Sequence, residues 1–176
     1  MRWLPFQLNP DLPEQGISRA DYIMRKFGES DSSRYKRVAL VGKSLGLDMQ
    51  FDSIKVQPNT VNAHRLIHHA GELGKQDAVA EALFRAYFIE GANLTDRAVL
   101  ADYAAQAGLD RDQTAAYLNS DADADVIRGA DREARQVGIE GVPFFIFNRT
   151  IGVSGAQDPE VLLQAMEQAR DHSGSA

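Results

Sequence analysis

Gly141-Val142-Pro143-Phe144-Phe145-Ile146-Phe147 sets a glycine and a proline directly ahead of four consecutive apolar residues. Proline has no N–H and cannot donate to a sheet ladder. Pro143 therefore belongs at the first strand position, in a turn able to hold the Val142–Pro143 bond cis. That placement leaves neighbouring backbone groups to pair with an extended ligand. Downstream, residues 144–148 read as a buried strand, Asn148-Arg149-Thr150 as a turn and Ile151-Gly152-Val153 as a return strand. Asp158-Pro159 reads as a helix start.

Working back toward the N-terminus, residues 2–8 read as a strand closed by Asn9-Pro10, then an irregular stretch to Gly16. A helix starts at Ser18, shows Tyr22, Ile23 and Phe27 on one face and stops at Gly28. A second, over residues 33–45, presents Tyr35, Val38, Leu40 and Val41. Residues 47–58 read as extended. From Thr60 to Leu118 the pattern is helical, with breaks at Gly74, Gly91-Ala92-Asn93 and Gly108 and a start signal at Thr95-Asp96. Residues 121–137 give one more helix returning to Gly138, and residues 172–176 read as a frayed tail.

Three further groups of residues occur in a telling order: Trp3-Leu4-Pro5-Phe6-Gln7-Leu8-Asn9-Pro10, then Pro58-Asn59-Thr60 with Ala63-His64-Arg65-Leu66, then Gly141-Val142-Pro143 through Ser154-Gly155-Ala156-Gln157. With them the chain resembles, over nearly its whole length, the DsbA-like oxidoreductases of the FrnE type, relatives of the kappa-class glutathione transferases and 2-hydroxychromene-2-carboxylate isomerases. The resemblance implies an α/β fold, a thioredoxin-like mixed sheet with an inserted α-helical domain. Residues 1–16 and 138–176 would form the thioredoxin-like domain, and residues 17–137 the helical insertion with its connecting helices.

The sequence departs from that family at its reactive group. Members carry Cys-Pro-Trp-Cys, or a serine variant in the transferases, on a strand and helix that precede the strand here starting at Met1. This chain has no cysteine. Met1 is then expected to be an internal valine codon read as a start, with the true beginning upstream. The family reaction needs a thiolate whose pKa a helix N-terminus lowers from about 8.5, and no residue here replaces it. Ser18, Ser30, Ser32 and Ser33 read as caps and loop residues. Without the preceding strand, which is central in such a sheet, two apolar edges would face a gap. Direct closure, repair by a second chain or poor solubility is expected.

A net charge of −6 argues against a nucleic-acid surface, which needs clustered positive charge. No stretch reaches the roughly 18 apolar residues of a membrane helix, and Met1 to Pro10 lacks a signal-peptide pattern. A cytoplasmic location and small-molecule or protein partners are the expectation, with a homodimer among them.

What remains for function is a binding surface. Val142 offers backbone groups and Pro143 holds the loop. Ser154, Gly155, Ala156 and Gln157 present amides near a helix start suited to a carboxylate, and the resemblance would set that loop against the γ-glutamyl end of glutathione. A plain turn before a capped helix is the alternative. Asn59, His64 and Arg65 form a second set, in which Arg65 either binds a carboxylate or clamps two lobes by a salt bridge.

His64, His68 and Glu72 share a helical face, yet positions eight apart spread over about 12 Å, and no metal is expected. Asp121-Ala122-Asp123-Ala124-Asp125 has Val126 and Arg132 where a calcium loop needs glycine and glutamate, so its carboxylates suit a helix start instead. Phe84, Tyr87 and Phe88 read as core or lobe contacts. The reading is a DsbA/FrnE-like thiol-disulfide oxidoreductase family member, inactive in this form, with a thiol- or disulfide-containing protein or glutathione as partner and no cofactor. The alternatives are a glutathione-dependent isomerase or transferase and a non-catalytic thioredoxin-fold binding protein.

Overall fold

Helix α1 (Arg19–Phe27) begins where Ser18 Oγ accepts from the Asp21 N–H at 3.4 Å, and it ends at Gly28, whose φ is 71°. Serine supplies the acceptor that an exposed helix start lacks, and glycine takes the left-handed conformation without a Cβ penalty. The computed structural model that shows this describes residues 1–28 and 33–171, with only the backbone of Ser33 and Arg34. Ser30, Ser32, the Ser33 side chain and the tail at 172–176 lie outside the described residues. The chain divides into two compact units, Met1–Gly129 and Ala130–Ala176.

The first unit is mainly helical. After α1 come α2 (Ser33–Ser44), a 3-10 turn (Phe51–Ser53), α3 (Val61–Glu72), α4 (Gln76–Phe88), α5 (Arg97–Gln106) and α6 (Arg111–Asn119). Asp96 caps α5 by accepting from the Ala98 N–H at 2.8 Å, and Asp110 caps α6 by accepting from the Gln113 N–H at 2.8 Å. Helices α3 to α6 enclose the core, in which Leu66, Val79, Leu100 and Leu118 are fully buried. Ala70, Ala86, Ala101 and Ala104 lie between them and let the helices approach closely.

One small sheet closes the start of this unit. Strand β1 (Ile17–Ser18) pairs antiparallel with β2 (Val56–Gln57). Gly16 at φ 70° makes that pairing feasible, because a Cβ there would sit 2.5 Å from the Gln57 carbonyl oxygen.

The strand expected over residues 2–8 does not form, and the reason is visible at Trp3. Its N–H donates to Gln76 Oε1 at 3.0 Å, and its carbonyl accepts from Gln76 Nε2 at 3.2 Å. One side-chain amide on α4 therefore satisfies both backbone groups that a neighbouring strand would otherwise serve. The Trp3 indole N–H donates to Asp77 at 2.6 Å, its ring meets Phe84 edge-on, and the Phe6 carbonyl lies 3.1 Å from His64 Nε2.

Helix α7 (Ala124–Gln136) runs across the division. The second unit continues with β3 (Phe144–Phe147), β4 (Ile151–Ser154) and α8 (Pro159–Asp171). β3 and β4 form an antiparallel hairpin, with Phe144 opposite Ser154 and Phe147 opposite Ile151. Proline at the first position of α8 needs no helical partner for its missing N–H. Ala165 and Ala169 of α8 are buried, and Asn148 Nδ2 at the hairpin tip donates to the Ala169 carbonyl at 3.1 Å. The expected mixed sheet is thus represented, among the described residues, by two separate antiparallel pairs.

Candidate functional site

Pro143 stands one residue before β3, and the Val142–Pro143 peptide bond is cis. The Pro143 carbonyl accepts from the Gly155 N–H at 2.9 Å, which extends the β3–β4 ladder to the loop preceding α8. Val142 is half exposed, and neither its N–H nor its carbonyl makes a hydrogen bond among the described residues. The structure therefore brings Val142, Pro143, Ser154 and Gly155 together at one end of the hairpin. Pro143 is pinned, and Val142 is left open beside it.

The Ser154-to-Gln157 loop is more occupied than its sequence implies. The Gly155 N–H serves Pro143, the Gln157 N–H donates to the Gly155 carbonyl at 3.0 Å, and Gln157 Nε2 donates to the Ser154 carbonyl at 2.9 Å. Of these amides, that of Ala156 makes no hydrogen bond among the described residues. Asp158 and Glu160 stand at the start of α8, where their negative charge already complements the positive end of the helix. A ligand carboxylate would compete with both.

Asn59, His64 and Arg65 lie in the first unit and face other backbone. Asn59 Nδ2 donates to the Leu12 carbonyl at 2.7 Å, while its Oδ1 accepts from the Val61 N–H at 3.0 Å. Asn59 thus starts α3 and holds the preceding loop, and His64 reaches the Phe6 carbonyl.

Arg65 is 2% exposed. Its Nε donates to the Ala122 carbonyl at 2.6 Å. Its terminal nitrogens reach the carbonyls of Tyr117, Leu118 and Ser120 and Asn62 Oδ1, at 2.8–3.3 Å. Among the described residues no carboxylate takes part; where carboxylate binding or a salt-bridge clamp was expected, Arg65 forms a hydrogen-bonded cap on the C-terminal end of α6. The carbonyls there lack helical partners, and a guanidinium satisfies several at once while complementing the negative end of the helix.

Among the described residues, no three His, Asp or Glu side chains are placed to hold a metal ion. His69 stacks on Tyr117, with ring centroids 4.3 Å apart. Burial and the neighbouring Asp123 carboxylate hold the Tyr117 phenol well above its ordinary range.

Comparison with known proteins places this arrangement. The DSBA-like thioredoxin domain matches residues 1–167. The chain belongs to this family. A probable DsbA oxidoreductase from Streptomyces coelicolor, known as a crystal structure, superposes with a TM-score of 0.84 at 32% identity, covering 94% of this chain and 73% of that one. The uncharacterized protein YwbO of Bacillus subtilis is 26% identical over 167 residues, 94% of this chain and 80% of its own length. The fold is accordingly the α/β thioredoxin-like fold of the DsbA family, with a helical insertion. These 176 residues contain no cysteine, so no thiol–disulfide step can be written on them. Among the described residues no helix is long and apolar enough to cross a membrane.

Sequence reasoning missed two contributors to the hairpin end. The Phe144 ring lies across Gly152, where a Cβ would come within 2.9 Å of it, and Asn148 ties the tip to α8. Gly152 within an apolar return strand was the one available signal, since glycine in a strand marks a close approach.

Proposed function

We propose that this chain acts as a polypeptide-binding member of the DsbA/FrnE-type oxidoreductases and holds an extended, thiol- or disulfide-bearing segment by backbone pairing at Val142. The observation that carries the reading is the contrast at residues 142 and 143. The Pro143 carbonyl is fixed by Gly155, whereas both backbone groups of the half-exposed Val142 are open. Addition of an extended segment to exposed backbone gains affinity from main-chain hydrogen bonds and so tolerates varied side chains.

The glutathione-dependent alternative draws less support. Two amides of the loop that would meet a γ-glutamyl carboxylate are already used, and Asp158 and Glu160 stand beside it. Asn59, His64 and Arg65 hold the first unit together, through contacts to the carbonyls of Leu12, Phe6 and Ala122.

Residue-resolved NMR titration tests the proposal. A reduced cysteine-containing peptide in extended form should shift the Val142 and Phe144 amides, with glutathione producing smaller changes. Shifts confined to residues outside 141–157 would overturn it. An insulin-reduction assay on the 176-residue form should show no turnover above the uncatalysed rate.

A further inference from the structure

We infer that the polypeptide segment held at Val142 is basic, and that Glu140, Asp158 and Glu160 select peptides carrying Lys or Arg close to their cysteine. The inference rests on the polypeptide-binding reading of Val142 and adds to it the charge of the partner.

Charge around the hairpin is one-sided. Between Gln136 and Ala169 the chain carries the carboxylates Glu140, Asp158, Glu160 and Glu167 and a single cation, Arg149. Chain geometry gathers the first three of these carboxylates at the Val142 end. Glu140 is two residues from Val142, so their Cα atoms are at most about 7 Å apart. Asp158 follows closely on Gly155, whose N–H is bonded to the Pro143 carbonyl, and Glu160 lies in the first turn of α8. All three are exposed, and among the described residues none pairs with a cation.

The cations of this unit are remote or already engaged. Arg149 stands in the turn at the far end of β3, which at about 3.3 Å per residue is roughly 15–20 Å from Pro143. That exceeds the screening length of about 8 Å at physiological ionic strength. Arg170, next to the Ala169 carbonyl that holds the same tip, pairs with Asp171 at 3.6 Å. On α7, Arg132 is followed directly by Glu133, and Arg135 pairs with Asp131 at 3.2 Å. The positive end of α8 offsets about half an elementary charge, which is small beside three carboxylates. The surface beside Val142 is therefore negative.

An extended segment advances about 3.3 Å per residue, so the residues two or three places either side of the one paired with Val142 pass these carboxylates. Complementary charge at an exposed rim acts mainly on selectivity and encounter rate, by disfavouring partners of like sign. Backbone pairing then sets where the segment lies, and the carboxylates set which segments are taken.

Three synthetic peptides of equal length provide the test, each with one central reduced cysteine in a Val/Ser/Thr background and flanked by lysines, by serines or by glutamates. Titrations followed at the Val142 and Phe144 amides should rank them lysine, serine, glutamate, with roughly tenfold in affinity between first and last at low salt, the scale of two or three exposed ion pairs. In 1 M sodium chloride, where screening acts over about 3 Å, that ratio should fall below roughly threefold. The double variant Glu140→Gln/Glu160→Gln should bring it to roughly threefold or less at low salt. Equal affinities, with Val142 and Phe144 shifting for every peptide, would overturn the charge selection and leave the backbone pairing standing. No shift at either residue with any peptide would overturn the pairing and the selection together. A full preference that persists in high salt or in the double variant would reject these carboxylates as its source.

Discussion

Arg65 and Tyr117 hold each other at both ends. The Arg65 guanidinium donates to the Tyr117 carbonyl at 3.0 Å and lies 5.0 Å from the tyrosine ring centroid. The Tyr117 hydroxyl in turn lies 3.2 Å from the Arg65 carbonyl and 2.9 Å from the Asp123 carboxylate, either of which can accept its proton. This reciprocal contact fastens α3 to the end of α6 beneath a buried charge.

Truncating Arg65 removes the shared donor of several carbonyls at the end of α6. Arg65→Met should destabilise the fold by about 3 kcal/mol or more, the scale for breaking a buried charged network. Arg65→Lys keeps the charge but loses the planar fork, and it should recover less than half of that loss. Urea unfolding followed by far-UV circular dichroism measures both. Near-wild-type stability of Arg65→Met would show that the carbonyls find water instead.

Stability should fall in alkali through a phenol that the fold keeps protonated. Burial raises Tyr87 from the ordinary 10.0 to about 12. Between those values the unfolded chain releases its proton while the folded chain retains it, so the contribution is complete below pH 10 and lost as pH rises toward 12. Tyr87→Phe should flatten this limb, as monitored by unfolding midpoints from pH 9 to 12. At the acid end the sign reverses. Arg97 holds the Glu14 carboxyl below 4.5, chiefly by a side-chain hydrogen bond, and that contribution is present above 4.5 and lost as pH falls.

The hairpin tip can be improved. Asn148 and Arg149 have φ of 51° and 61°, the pair of positive values that a type I′ turn requires, and arginine tolerates this poorly. Arg149→Gly should stabilise the hairpin by roughly 0.5–1 kcal/mol. Asn148→Gly should be unfavourable, because it loses the hydrogen bond to Ala169. Thermal unfolding of the two variants should move in opposite directions.

These positions show which parts of the molecule could be read in the sequence. Ser18, Gly28, Asp96 and Pro159 act through their own or adjacent backbone, so each marks its helix boundary wherever the rest of the chain goes. The Val142–Pro143 loop was legible for the same reason. Arg65 was legible as important but not in its role, since its acceptors are carbonyls about 55 residues away whose exposure depends on where α6 stops. Residues 2–8 read as a short strand closed by Asn9-Pro10, and only the tertiary placement of Gln76 shows that a side chain takes the strand partner's place. Propensity yields to tertiary contacts in such segments.

That substitution of a side chain for a strand gives a further test. Gln76 binds both backbone groups of Trp3, and Trp3 is the single tryptophan of the chain. Gln76→Ala should release the segment from α4 while leaving the buried core of Leu66, Val79 and Leu100 in place. Fluorescence should shift to the red as the indole gains water, and the Trp3 amide should exchange at least tenfold faster. Gln76→Glu retains one acceptor for the Trp3 N–H but loses the donor to its carbonyl, so an intermediate shift is expected. An unchanged emission spectrum in Gln76→Ala would mean that Asp77 and Phe84 alone hold the ring.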